Sequence, residues 1–212
     1  MYGGQAPSGR LPYTVAKNES DYGDLLAPVK ADNASNYYTS MNLTEGVYID
    51  YRHFDAYNIT PRFEFGFGLT YTTFEYTGLN IAVTKLGTNA TALPPSAPLE
   101  QGGIASLWDV LITVKTEVSN TGFVLAPEVV QLYLGIPGAP AKQLRGFEKS
   151  TLEAGQNKTI EFELTRRDLS VWDTARQSWV LQKGLYMFYV GASSRDIRLN
   201  GSLVVLEGGE DA

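Results

Sequence analysis

The feature that most constrains the fold of this 212-residue chain is the alternation of apolar and polar residues that begins near Phe74. Between Trp108 and Ser119, four residues alternate toward one face, and threonine, lysine and glutamate (113, 115 and 117) lie toward the other; the four are Val110, Ile112, Val114 and Val118. The segment Thr159–Thr165 repeats the pattern. A period of two residues is typical of a strand with one buried face. The sequence therefore predicts antiparallel strands that each cover a core.

About seven short strands follow one another, with turn signals roughly every 8–12 residues and no convincing helix. Val129–Ile136 is apolar on both faces apart from Gln131, which indicates a strand near the centre of the fold. Trp179–Gln182 and Gly184–Gly191 are expected to form a hairpin. We therefore predict an all-β chain: an antiparallel β-sandwich of immunoglobulin-like or fibronectin type III-like architecture, with an extended N-terminal arm.

Composition changes along the chain indicate four segments. The first is an arm rich in Gly, Pro, Asn, Asp and Tyr, whose short apolar run Leu11–Ala16 has no neighbouring strand to pair with. An aromatic linker follows, which we expect to be covered because surface loops have nothing against which to bury so many rings. The predicted segments are the arm 1–45, the linker 46–71, the sandwich 72–206 with an exposed insertion at 87–103, and a loose tail 207–212.

Composition also excludes several classes of function. The formal charge of −6 and the pI near 4.9 argue against nucleic acid as a partner, because phosphates would be repelled. No stretch approaches the roughly 20 apolar residues needed to span a bilayer. The chain has no cysteine, and His53 is its only histidine, so disulfides, thiolate metal sites and histidine-based triads are excluded. We expect no metal and no organic cofactor.

The chain contains seven Asn-x-Ser/Thr sequons. With 10 Asn and 31 Ser plus Thr in 212 residues, a random order would give about 1.5 sequons. This excess indicates a secreted, extracellular glycoprotein. No basic and apolar leader precedes the arm, so we expect the chain to be a fragment of such a protein. The candidate glycosylation sites are Asn18, Asn33, Asn42, Asn58, Asn89, Asn157 and Asn200.

Six motifs, taken in order, resemble fungal glycoside hydrolase family 3 β-glucosidases over essentially the whole chain. The first resembles the end of their α/β sandwich domain, the second their linker into the C-terminal domain, and the other four their fibronectin type III-like domain. The motifs are PSGRLPYTVAKNESDYG (Pro7–Gly23), YIDYRHFDAYNITPRFEFGFGLTYTTFEY (Tyr48–Tyr76), VSNTG (Val118–Gly122), KQLRGFEKSTLEAG (Lys142–Gly155), LTRRDLSVWD (Leu164–Asp173) and VGASSRDIRL (Val190–Leu199).

The resemblance implies a parent enzyme that hydrolyses terminal β-D-glucosyl residues with retention, as in cellulose breakdown, using two carboxyl groups about 5–5.5 Å apart. It places the nucleophilic Asp in an N-terminal barrel domain and the acid/base Glu in the α/β sandwich domain, upstream of Pro7. No catalytic residue therefore falls in this chain, and we expect the fragment to be inactive alone. Its implied role is to stabilise the catalytic domains by burying the linker.

Three carboxylates of the linker, Asp50, Asp55 and Glu64, could be read as a catalytic pair. Arg52 and Arg62 stand among them, so ion pairing within the linker is the favoured interpretation.

Other clusters have equally ordinary interpretations. Ser193–Asp196 is interpreted as a polar turn with an Arg195–Asp196 pair, since no histidine can serve as base. The glycines of Phe65–Leu69 lack the Lys-Ser/Thr of a phosphate loop. His53 is expected to be structural.

The three tryptophans, Trp108, Trp172 and Trp179, leave an alternative open. They either fill a core or form an aromatic face that binds cellulose, lignin or a cell-wall surface. The second interpretation would make the domain an accessory polymer-binding module.

Overall fold

The structure, a computed structural model, describes residues 5–26 and 44–205. The sequons Asn33 and Asn42, the predicted tail 207–212 and much of the arm therefore lie outside the described residues. The short helices are two 3₁₀ helices (Glu19–Leu26 and Ala105–Trp108) and α1 (Tyr51–Ala56), α2 (Lys85–Thr88) and α3 (Arg166–Leu169). The strands are β1 (Phe74–Val83), β2 (Val110–Asn120), β3 (Ala126–Gly135), β4 (Gln143–Leu152), β5 (Asn157–Thr165), β6 (Ser170–Asp173), β7 (Ser178–Leu181), β8 (Gly184–Gly191) and β9 (Ile197–Val205).

Two antiparallel sheets form the sandwich. One has the strand order β1-β2-β5 and the other the order β4-β3-β8-β9, while β6 and β7 form a separate two-stranded ribbon. Every strand pair is antiparallel. The predicted all-β sandwich is confirmed.

The core lies between the inward faces of the two sheets, as the alternation predicts. On β5, Ile160, Phe162 and Leu164 are buried, whereas Glu161 and Glu163 are exposed. β2 follows the same rule, and its apolar positions join those of β3 and β8 in one cluster. Hydrophobic burial of these alternating positions sets the register, because a slip by one residue would turn each set outward.

β3 is buried on both faces, but the two faces are covered by different parts of the molecule. Val130, Leu132 and Leu134 belong to the core between the sheets. Gln131 and Tyr133 point the other way and are also buried, because the linker crosses that outer face of the four-stranded sheet. A linker that covers the outer face explains why this strand is apolar on both sides.

The predicted hairpin between Trp179–Gln182 and the following strand is wrong. β7 pairs with β6, and Trp179 stands opposite Trp172. β8 already has β3 on one side and β9 on the other, so neither of its edges is left for β7. Residues 5–26 and 44–205 contain nine strands rather than about seven: seven form the two sheets, and β6 and β7 form the separate ribbon.

Residues 87–103 are mostly exposed but not detached. The carbonyl oxygen of Thr91 accepts a 2.8 Å hydrogen bond from Nη1 of Arg166, and that of Ala92 accepts one of 2.9 Å from the backbone N–H of Leu181. These bonds fasten the segment to α3 and β7. The residue boundaries assigned to the four segments stay predictions.

Candidate functional site

The first part of the candidate site is the linker helix α1, which the period of the sequence did not reveal because it has only six residues. Asp50 begins it: one carboxylate oxygen accepts from the backbone N–H of Tyr51, and the same carboxylate receives the N–H and hydroxyl of Thr14 at 2.8 and 2.9 Å. Capping by Asp stabilises a helix start. The cap therefore ties the arm and the helix together.

Tyr51 fastens this helix to the sheet. Its ring packs against Phe65 with centroids 4.7 Å apart and edge-on to Tyr133 at 5.8 Å. Its hydroxyl oxygen accepts a 2.8 Å hydrogen bond from the backbone N–H of Leu144, on the edge strand β4. Burial raises the pKa of the Tyr51 hydroxyl, so it remains a neutral hydrogen-bonding group near pH 7.

The glycines of Phe65–Leu69 bring the linker close to β3. Nε2 of Gln131 donates to the carbonyl oxygens of Gly66 at 3.1 Å and Ala192 at 2.6 Å, and its Oε1 accepts from Tyr133 at 2.6 Å. Gly66 has φ of 80°, and a side chain there would collide with the Gln131 amide. Gly66 therefore permits close backbone approach.

Residues 11–15 of the arm pair with the linker. The backbone N–H of Leu11 donates to Phe67 and that of Val15 donates to Phe63, each at 2.8 Å. The apolar run Leu11–Ala16 therefore has its pairing partner some fifty residues further along the chain, and Val15 and Phe63 form an isolated β-bridge.

A buried ion pair joins the arm to the sandwich and was not found from the sequence. Nη2 of Arg10 lies 2.7 Å from Oε2 of Glu128, and the Tyr76 hydroxyl donates to the other carboxylate oxygen at 2.6 Å. Burial raises the pKa of the Glu128 carboxyl, against the opposing effects of the Tyr76 hydrogen bond and the Arg10 charge. No local pattern marks Arg10 as the partner of a residue in β3.

The three linker carboxylates are engaged as structural groups, although not with Arg52 and Arg62 as expected. Asp50 is a helix cap, Asp55 forms ion pairs with other segments, and Glu64 accepts a 2.7 Å hydrogen bond from the Ser193 hydroxyl. Their partners come from loops distant in sequence, which is why the neighbouring arginines misled the assignment.

The predicted Arg195–Asp196 pair is also wrong. Arg195 instead lies 3.0 Å from Asp55 and donates to the carbonyl oxygen of Ile59, while Asp196 binds the guanidinium of Arg198 at 2.6 and 2.8 Å. The two residues lie in the turn between β8 and β9, and each side chain binds a different segment, so adjacency did not give contact.

His53 packs its ring against Phe54 and Tyr57, with centroids 5.8 and 4.6 Å away. These contacts agree with the structural role expected for it. Within residues 5–26 and 44–205, no group of three or more potential metal ligands comes together. No helix in the same ranges is long and apolar enough to cross a membrane.

The tryptophans form a stack with an arginine between two of them. The guanidinium of Arg167 lies 5.3 Å from the ring centre of Trp108 and 5.2 Å from that of Trp179. Trp172 meets Trp179 edge to face at 5.5 Å. Trp108 and Trp172, at the ends of the stack, remain 49% and 41% exposed. The stack is a packing unit whose two ends are open to solvent.

Several large apolar side chains of the arm and linker are exposed; we call them together the outer band. Its members are all exposed by more than a third, and the linker is fastened to the sheet. Clusters of this kind mark surfaces that bind another structure. The outer band consists of Tyr13, Val47, Tyr48, Ile49, Tyr57, Phe63, Leu69 and Tyr71.

Comparison with known proteins agrees with this geometry. The model of the fibronectin type III-like domain matches residues 128–194. The chain is 52% identical to "Probable beta-glucosidase M" of Aspergillus oryzae over 206 residues, which is 97% of the chain and 27% of that protein. It is 50% identical to "Beta-glucosidase cel3A" of Pyricularia oryzae, with 97% and 26% covered. The chain corresponds to the C-terminal part of fungal β-glucosidases, among them a glycoside hydrolase family 3 enzyme of Neurospora crassa to which it is 32% identical.

Solved structures give the same result. The chain matches the β-D-glucoside glucohydrolase of Trichoderma reesei with a TM-score of 0.84 and 43% identity, covering 96% of the chain and 27% of that structure. It therefore spans about a quarter of the length of the β-glucosidases it matches.

Five candidate sequons of this β-glucosidase part are described, and all five asparagines are exposed. They lie on different elements, and Asn58 follows α1 in the left-handed region with φ of 54°. Glycosylation at these positions stays a prediction. These five are Asn18, Asn58, Asn89, Asn157 and Asn200.

Proposed function

We propose that this chain is the C-terminal brace of a secreted β-glucosidase, one that removes terminal β-D-glucosyl residues with retention of configuration. The observation that carries the proposal is the outer band: eight large apolar side chains are exposed, seven of them on a linker that is fastened to the sandwich and one, Tyr13, on the arm. Catalytic domains seated on that band would bury it. The sandwich holds the linker, and the linker holds the catalytic domains.

The energetics support this arrangement. Burying one large apolar side chain is worth about 1.5–3 kcal/mol, so covering even a few members of the outer band would contribute an amount comparable to the stability of a domain. The linker is preordered by Tyr51, Gln131 and the Arg10–Glu128 pair, so little conformational entropy is lost on docking.

The chain is proposed to be non-catalytic by itself and to need no cofactor. Retaining hydrolysis needs two free carboxyl groups about 5–5.5 Å apart. Asp50, Asp55 and Glu64 are instead occupied by a helix cap, two cations and a serine hydroxyl. We expect no turnover of an aryl β-glucoside by this chain, and Asp- or Glu-dependent turnover by purified material would contradict the assignment.

Secretion and glycosylation belong to the same proposal. The five exposed sequons support both. Expression in a filamentous fungus behind a secretion signal, followed by mass analysis before and after enzymatic removal of N-glycans, measures occupancy at each asparagine. Complete absence of glycans from all the sequons would contradict the glycoprotein assignment.

The brace is tested in a chimera in which this chain replaces the corresponding part of the Aspergillus oryzae relative. Leu69, in the outer band, and Leu99, in segment 87–103, are 67% and 82% exposed. If the band docks, Leu69→Ser shortens the half-life of β-glucosidase activity on heating by roughly tenfold, because a buried leucine is lost. Leu99→Ser is the matched control. Equal half-lives for the two variants would sink the proposal.

Attachment to an insoluble polymer is the second candidate function, and the open ends of the tryptophan stack favour it. Trp108 and Trp172 offer aromatic surface to a sugar ring or to lignin. A pull-down on cellulose and on lignin, with an unrelated β-sandwich as control, tests the idea. Retention should fall in Trp108→Ala and Trp172→Ala, and retention no greater than that of the control rules the function out.

A further inference from the structure

A cleft of about 280 Å³ lies between α1 and the loop that joins β3 to β4. The helix contributes Arg52, Asp55 and Ala56, and the loop contributes Ala139 to Lys142, with Tyr48 at the side. The volume is close to the lower limit of about 300 Å³ for ligand pockets, so the cleft accommodates a side chain rather than a sugar oligomer. We propose that it receives an acidic side chain from the catalytic part of the β-glucosidase.

The charges around the cleft do not balance. Asp55 is its only carboxylate among the lining residues, and that carboxylate already has two cations: Lys142 at 3.2 Å and Arg195 at 3.0 Å. Arg52 is then the third cation. Within the described part of the chain, no carboxylate forms an ion pair with Arg52. One anion faces three cations, on a chain whose formal charge is −6.

Further cations lie behind the cleft. Arg145, on β4, is near both Arg52 and Arg167, and burial together with these like charges lowers its pKa while Asp168 opposes the change. The Nε atoms of Arg52 and Arg145 are buried, and neither has a hydrogen-bond acceptor among the described residues. Buried donors in proteins usually have partners. Among the residues that the structure describes, the positive potential at this edge of the sheet is therefore only partly neutralised.

The cleft is continuous with the outer band through Tyr48, which belongs to the band and also lines the cleft. Any structure that covers the band therefore reaches the cleft. The chain covers only about a quarter of its β-glucosidase relatives, so the catalytic part is the covering structure that the proposed function already requires. Asp or Glu from that part would accept hydrogen bonds from the Arg52 guanidinium, where a planar fork suits a carboxylate.

This inference rests on the proposed brace, and the experiment separates the two. In the chimera with the Aspergillus oryzae relative, thermal inactivation of β-glucosidase activity is followed at about 50 mM and about 1 M NaCl, the second of which screens exposed charges beyond roughly 3 Å. Arg52→Gln, Arg52→Glu and Leu69→Ser are compared with the unaltered chimera. Arg176→Gln is the control, since Arg176 lies in the turn between β6 and β7 and does not line the cleft; it is more exposed than the half-buried Arg52.

We expect Arg52→Gln to shorten the half-life by about threefold at low salt and Arg52→Glu to shorten it further, with both effects shrinking at high salt. Arg176→Gln should change nothing. If the Arg52 variants shorten the half-life as much at 1 M NaCl as at low salt, or do not shorten it at all, the proposal of an acidic partner is overturned. Leu69→Ser reports on the brace independently, because an apolar contact does not weaken at high salt.

Discussion

Arg10 and Glu128 stand 118 residues apart in the chain and form an ion pair of 2.7 Å, in which the glutamate side chain is only 3% exposed. The same carboxylate also accepts from Tyr76 of β1. One buried group thus joins the arm, the three-stranded sheet and the four-stranded sheet. The arm is a functional part of the domain's structure for this reason, although the resemblance assigns its sequence to the end of another domain.

Removing Arg10 leaves a buried carboxylate without its cation. We expect Arg10→Met to destabilise the fold by about 3–5 kcal/mol near neutral pH. Because the pKa of Glu128 is already raised by burial, loss of the Arg10 charge raises it further. The folded variant then binds more protons than its unfolded state above pH ~4.3, so its stability falls as pH rises.

Urea unfolding at several pH values, followed by circular dichroism, measures this difference. The stability gap between the parent chain and Arg10→Met should widen as pH rises from 5 to 8 and narrow on acidification. Arg176→Met, at an exposed arginine, serves as the control. A gap independent of pH would contradict the assignment of Glu128 as the affected group.

The close approach of the linker to β3 predicts different effects of alanine at two glycines. Gly66 and Gly78 have φ values of 80° and 65°, so the backbone strain of Ala is similar at both. Only at Gly66 would the added methyl group collide with Gln131, whereas nothing lies near it at Gly78. Gly66→Ala should cost about 1–3 kcal/mol more than Gly78→Ala in urea unfolding. Equal costs would mean that the linker readily moves away from the sheet.

Loss of the Tyr51 hydroxyl tests how firmly α1 is attached. In Tyr51→Phe the backbone N–H of Leu144 loses its 2.8 Å acceptor, and we expect a destabilisation of about 1–3 kcal/mol. Tyr57→Phe is the control, because Tyr57 is largely exposed. Hydrogen exchange at the Leu144 amide measures the effect locally. The exchange rate should increase in Tyr51→Phe and stay unchanged in Tyr57→Phe.

The sandwich could be predicted because its signal is local: alternation on β2 and β5 depends only on which face meets the core. Contacts between segments that are distant in the sequence could not be predicted. Asp55 follows Arg52 by three residues on α1 and both line the cleft, yet the ion-pair partners of Asp55 are Lys142 and Arg195, which lie in loops distant in sequence. The predicted β7–β8 hairpin is wrong for a related reason: both edges of β8 pair with other strands, β3 and β9.

The Arg167 stack is a packing unit whose stability contribution can be measured apart from any binding role. Arg167→Met keeps the aliphatic stem but removes two cation–π contacts, each worth about 0.5–1 kcal/mol at an exposed site. We therefore expect a loss of about 1–2 kcal/mol in urea unfolding, with a change in the near-ultraviolet circular dichroism of the tryptophans. Arg176→Met should leave both unchanged. A stable Arg167→Met variant with an unaltered spectrum would show that the guanidinium does not hold the rings in place.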